Sequence, residues 1–179
     1  MFAQQAKLID LFGFRPYSKT DSTPLSVERA QELIAKPVGK DWSCDSADVL
    51  VNNELLCMPY GYVGCFGVLV ERQSGRLLWM GSALPPVEHV WGYYKGARDG
   101  QTTNDRLCDI SIEEINDLDR TVKLLSIVSG QSAVDLRKSL GSLPFVIRQI
   151  DVYWHLREFR AAELAKIFSF KVLDWRRSL

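Results

Sequence analysis

The sequence is poor in the residues that most reactions need. It holds two histidines, His89 and His155, in 179 residues, too few for a histidine-rich metal centre. Its four cysteines, Cys44, Cys57, Cys65 and Cys108, stand at irregular spacing with no C-x-x-C pair. Neither a zinc ribbon nor a redox dithiol is written there, and a disulfide scaffold would be smaller and denser in cysteine. They read as ordinary thiols, most of them small buried apolar residues. The chain has no G-x-x-x-x-G-K-[ST] loop, no G-x-G-x-x-G turn and no G-x-S-x-G elbow, which leaves nucleotide binding and serine hydrolysis without their usual signals. No cofactor and no metal are expected. Net charge is also missing: 22 basic residues balance 22 acidic ones, so no global field draws the chain to nucleic acid or to an anionic membrane. No apolar run approaches the roughly 20 residues that cross a bilayer. The opening "MFAQQAKLIDLFGF" lacks the pattern of a secretory signal, and a cytoplasmic location is expected.

What the chain does have is pattern. Residues 3–12 put Ala6, Ile9 and Phe12 on one helical face before Gly13. Ser26 reads as the N-cap of "VERAQELIAK", with Val27, Ala30, Leu33 and Ile34 as its buried stripe and Pro37 and Gly39 as its stop. The segments "VLV", "ELLCM", "YVGCFGVLVER" and "RLLWMG" are rich in β-favoured residues and broken by turn formers, which predicts three or four antiparallel strands. Gly75 in "QSG" supplies the positive φ of a hairpin turn. Val68, Val70, Leu77 and Trp79 share one side of that hairpin, and Leu69, Leu78 and Met80 make the other side apolar too, so the sheet is expected to be covered on both faces. Pro85 and Pro86 open a helix, "PVEHVWGYYK", that Gly96 ends. Its apolar face is read as Val87, Val90, Trp91 and Tyr94, with His89 pointing outward.

Residues 97–110 are polar and aperiodic, the expected linker between a unit at 1–98 and a second at 108–179. There, Ser111 and Glu114 match a capping box, predicting a helix with Ile112, Ile115 and Leu118 on one face. "TVKLLSIVS" suits either a continued helix or a strand. Beyond it, "SAVDLRKSLG" reads as helix, "PFVIRQI" as strand, "YWHLREFRAAELAKIF" as helix and "FKVLDW" as strand. The fold class that follows is α+β: an antiparallel sheet with flanking helices, followed by a smaller α/β C-terminal unit.

Two acidic stretches stand out. From Asp41 to Glu71 there are five acids and no lysine or arginine, and from Asp105 to Arg120 there are six acids against Arg106 and Arg120. The plainer account of the second is a helix start favoured by the macrodipole. The functional account is a patch that captures a basic partner. The basic C-terminal part carries Trp154, Phe159, Phe168, Phe170 and Trp175, whose spacing places them in a core rather than on a nucleic-acid platform. His89 with Cys65 or Cys57 is the one conceivable nucleophile pair, but Cys65 lies in an apolar strand that keeps a thiol inert. His155, among aromatics, reads as a packing or capping residue.

The order of elements from Ser26 to Gly96 resembles the immunity protein 35 (YrhB-like) family of bacterial polymorphic-toxin systems. The features that carry the resemblance are the helix "LSVERAQELIAK", the strand "PYGYVGCFG", the hairpin "VLVERQSGRLLWMGSALPP" and the helix "VEHVWGYYKG". The chain departs from the family in a shorter insertion before the hairpin and in its C-terminal extension. That extension is similar in its helix, strand, helix, strand order to the C-terminal domain of the ribosomal stalk protein. The resemblance implies a small α+β domain without catalytic residues that binds a cognate toxin or effector protein and occludes its active site. Tight inhibitor interfaces set aromatic anchors inside a charged rim. The expected partner-binding residues are therefore Trp42, Glu54, Tyr60, Tyr62, Glu88, Tyr93, Glu113, Glu114 and Asp117. No nucleic acid or membrane partner is expected, and a homodimer is left open. The competing readings are a cysteine-dependent enzyme using Cys65 or Cys57 with His89, and a chaperone or adaptor using the aromatic surface of the C-terminal unit.

Overall fold

A computed structural model of the chain describes residues 2–20, 24–39, 42, 44–59, 65–96 and 107–175. The chain is α+β, with two antiparallel sheets and, among the described residues, six α-helices. It divides into two compact units, Met1–Val90 and Trp91–Leu179.

The first unit begins with helix α1 (Phe2–Phe12), a short strand β1 (Arg15–Pro16) and helix α2 (Val27–Val38). Ser26 caps α2 by accepting a hydrogen bond from the Arg29 amide, and Gly39 ends it. A 3₁₀ turn at Ser46–Asp48 leads into β2 (Leu50–Val51), β3 (Leu55–Pro59), β4 (Cys65–Glu71) and β5 (Leu77–Gly81). The strands pair in sequence order as a meander. Each junction has a local cause. The Asn52 side-chain carbonyl accepts the amides of Glu54 and Leu55, folding the β2–β3 turn, and its NH₂ donates to the Phe12 carbonyl at the end of α1. Gly75 takes φ +72° in the β4–β5 turn and donates to the Glu71 carbonyl. Ser74 donates to the Glu71 carboxylate at 2.6 Å.

Register sorts the side chains. Met58 pairs with Val68 and Leu56 with Val70, while Val68 faces Trp79 and Val70 faces Leu77. This face packs on Val27, Ala30 and Ile34 of α2. Cys57 pairs with Leu69, and Leu69 with Leu78, on the opposite face. Leu55, Cys57, Leu69 and Met80 there are buried as well, so both faces are covered, as the two-sided apolar pattern predicts. The helix α3 (Pro86–Tyr94) follows. The boundary between the units falls inside it rather than in the 97–110 stretch.

The second unit is built on strand β6 (Leu107–Ile115), which lies between β7 (Phe145–Asp151) and β8 (Phe168–Trp175) and is antiparallel to both. Residues 97–106 of the expected linker lie outside the described residues, but 107–110 are strand. The capping-box helix at Ser111 is corrected: Cys108, Ile110 and Ile112 alternate into the core and Ser111 is 3% exposed in mid-strand. Period-2 burial of three apolar side chains outweighs a two-residue cap signature. The helix α4 starts later, at Leu118–Ser129, capped by Asp117, which accepts the Arg120 amide. It resolves "TVKLLSIVS" as helix. Helix α5 (Ala133–Ser139) and helix α6 (Leu156–Leu164) complete the unit. Expected to run to Phe168, α6 stops at Leu164, because Lys166 adopts φ +52° and the Ile167 amide returns to the Ala162 carbonyl. This is a left-handed helix ending without the usual glycine.

Candidate functional site

The thiols and the buried imidazole are held in states that oppose bond-making. Burial pushes Cys57 and Cys108 up to about 12, and it also raises Cys65, whose thiol donates to the Gly67 carbonyl at 3.2 Å. Cys44, half-buried, is raised by burial too. His89 is corrected from an outward to a buried position, 6% exposed. Its Nε2 hydrogen bonds the Gly81 carbonyl at 3.0 Å, and burial holds its pKa below the ordinary value. Gly81 pairs across the sheet with Cys65, so sulfur and imidazole approach the same strand end. Both are nevertheless engaged by backbone groups, and a thiolate–imidazolium pair needs the reverse of both shifts. His155 sits at the N-cap of α6 without a side-chain capping bond. No group of three potential metal ligands occurs among the described residues.

The His89 assignment gives a pH signature. A neutral, buried histidine whose folded pKa lies below its unfolded value of about 6.5 leaves the unfolded chain as the better proton binder. Its contribution is complete above that pH and is lost as pH falls toward the folded pKa. Urea midpoints are expected to hold steady between pH 8 and pH 7 and to fall below about pH 6.5, by at most about 1.4 kcal/mol per pH unit for one proton. His89→Gln is expected to flatten the portion above pH 5. A wild-type profile already flat from pH 7 to pH 5 contradicts the burial argument.

The residues expected at a partner interface scatter. Trp42 is half-buried and packs against the α2-side core. Tyr60 and Tyr62 lie outside the described residues. Glu88 and Tyr93 are corrected from interface to interior: Val87 through Tyr93 are all buried, at 7% for Glu88 and 4% for Tyr93. An amphipathic face was read into α3, yet Val87 through Tyr93 form an unbroken buried run, and Tyr94, read into the apolar face, is 41% exposed.

The acids of the second unit are largely used by their own fold. Asp109 accepts the Gln149 amide at a bulge where Gln149 takes φ +57°. Glu113 hydrogen bonds Ser111, which with Lys171 lowers its pKa. Asp117 caps α4 and Asp119 pairs with Arg137. Of the expected trio Glu113, Glu114 and Asp117, Glu114 is exposed and the other two are half-buried. The phenylalanines of this unit follow the core reading, with Phe159, Phe168 and Phe170 buried, whereas Trp154 is 56% exposed. In the first unit, Glu32 pairs with Arg29 and Glu71 accepts from Ser74. Asp45, Asp48 and Glu54 are exposed, and of these Asp45 caps the 3₁₀ turn through the Ala47 amide.

Sequence reasoning missed a cavity of about 250 Å³ in the first unit. Its floor is Leu8, Leu50, Cys57 and Met80, all buried, and its mouth carries the exposed Asp48 and Phe66. The local signals were the apolar side of β3 and the paired prolines Pro85 and Pro86. Their convergence with α1 is a long-range fact that no window of sequence contains. No helix among the described residues is long and apolar enough to cross a membrane. No protein-family model, curated protein or solved structure matches this chain.

Proposed function

We propose that this chain is a bacterial immunity protein of the cytoplasm that binds a cognate toxin or effector protein and blocks its active site, with no chemistry of its own. The observation that carries the reading is an exposed carboxylate, Asp48, at the mouth of an apolar cavity. The second unit consumes Asp109, Glu113, Asp117 and Asp119 in its own fold. The first unit holds Asp48 and Glu54 out to solvent, in a stretch of sequence with no basic residue, and Asp48 stands at an apolar cavity. Carboxylates on a rim steer a basic partner, and an apolar recess secures it. The raised thiols and the lowered imidazole weigh against the cysteine-dependent enzyme, and the buried phenylalanines weigh against an aromatic adaptor surface.

The test is co-expression with the product of the adjacent gene in the source genome. Restored growth and a complex that co-purifies are expected; a toxin that kills equally with and without this chain sinks the reading. Reversing both Asp48 and Glu54 to lysine is expected to slow association about 10-fold or more at low salt and much less at high salt, as steering by exposed charge requires. Stopped-flow measurement at two ionic strengths checks this.

A further inference from the structure

We infer that the cavity beside Asp48 is the socket for one apolar side chain of a partner polypeptide, an aromatic or long aliphatic residue adjacent in sequence to a lysine or arginine. This deepens the proposed binding function and rests on it. Size argues first. Pockets for free metabolites and drug-sized ligands run to about 300–1,000 Å³, whereas about 250 Å³ is a space for one large side chain, or two small ones. Anchors that dominate protein interfaces occupy recesses of this kind.

The lining argues next. Leu8 comes from α1, Leu50 from β2, Cys57 from β3 and Met80 from β5, so three strands and a helix fix the floor before any partner arrives. Such a preformed recess spares the ordering cost of building one. Met80 supplies a polarizable thioether suited to an aromatic ring. Cys57, pushed up to about 12 by burial, stays an uncharged thiol and behaves as a small apolar group. Among the described residues, the polar side chains in the lining are the Gln5 amide and the Asp48 carboxylate. One carboxylate at an apolar mouth favours a cation next to the inserted group and disfavours an acid.

The methionines provide the reporter. Met80 lies in the cavity, and Met58 faces the α2-side core on the other side of the same sheet. With methyl-¹³C methionine in the full chain, titration with N-acetyl-phenylalanyl-lysine amide is expected to move the Met80 methyl saturably, with Kd of about 1–10 mM, and to leave Met58 in place. The glutamate counterpart is expected to bind about 2–5-fold more weakly, the range an exposed ion pair supports. Asp48→Asn, a change at an exposed position, is expected to erase that difference while retaining the Met80 response.

Three results overturn the inference: a Met80 signal that does not respond, equal affinity for the two peptides, or phenethylammonium binding as tightly as the lysine peptide, which would make this a small-molecule site. These titrations need no toxin. Peptide binding with failed growth rescue removes the toxin and leaves the socket; rescue with an unresponsive Met80 does the reverse.

Discussion

Replacing Gly67 by alanine is expected to cost the first unit at least about 3 kcal/mol, and replacing it by valine to leave that unit unfolded. Gly67 lies in β4 opposite Pro59 of β3 and Met80 of β5. A Cβ there would stand 2.5 Å from the Met58 carbonyl oxygen and 2.9 Å from the Met80 methyl. The methyl can swing aside, but the oxygen belongs to the backbone of the neighbouring strand. Relief therefore requires β3 and β4 to separate, at the loss of ladder hydrogen bonds in the middle of the sheet. This is glycine chosen for close backbone approach rather than for its range of φ.

Gly130, at the end of α4, is the control. It takes φ +68° with nothing within 4 Å of a built Cβ, so its alanine variant bears only backbone strain, about 1–2 kcal/mol. Because two units need not unfold together, the measurement is residue-resolved hydrogen exchange. Protection of the Val68 and Val70 amides is expected to collapse in Gly67→Ala and to survive in Gly130→Ala. Unchanged protection in Gly67→Ala refutes the close approach.

Gly67 also marks the limit of what the sequence reveals. The hairpin at Gly75, the cap at Ser26 and the two-sided apolar strands were readable because each depends on neighbours a few residues away. The α+β class follows from them. The Ser111 segment misled because a cap signature and a strand alternation overlap in "SIEE", and the deciding partners, Val146 and Lys171, are remote in sequence. The burial of Val87 through Tyr93, which took Glu88, His89 and Tyr93 away from solvent, depends likewise on tertiary packing, to which helical periodicity is blind. In the candidate site, the acidic character of both stretches was legible. Which carboxylates find partners within the fold was not, because Asp109 and Asp119 meet theirs 40 and 18 residues away. The cavity draws on segments from Gln5 to Pro86 and had no local signature.

In the second unit, Phe159→Ala is expected to cost about 3–5 kcal/mol, the usual price of emptying a fully buried aromatic site. Phe159 is 0% exposed on α6, with ring centroids 4.9 Å from Phe170 and 6.1 Å from Phe168, both on β8. The Phe159–Phe168 pair is edge-on at 81°, a favoured arrangement that adds about 0.5–1.5 kcal/mol beyond burial. The cluster continues to Trp91, 5.8 Å from Phe170, and Lys95 lies over both of those rings while pairing with Glu163 of α6. Two kinds of force thus fasten α6, and magnitude separates them. The Lys95–Glu163 pair is a quarter exposed on each side, and Lys95→Met, which keeps the apolar stem, is expected to cost no more than about 1 kcal/mol. Phe159→Leu, which retains most of the volume, is expected to fall between the two. Exchange at Ile110 and Ile112 on β6, the central strand, reads all three variants. An ordering in which Lys95→Met loosens β6 more than Phe159→Ala does would mean that charge rather than aromatic packing holds the unit together.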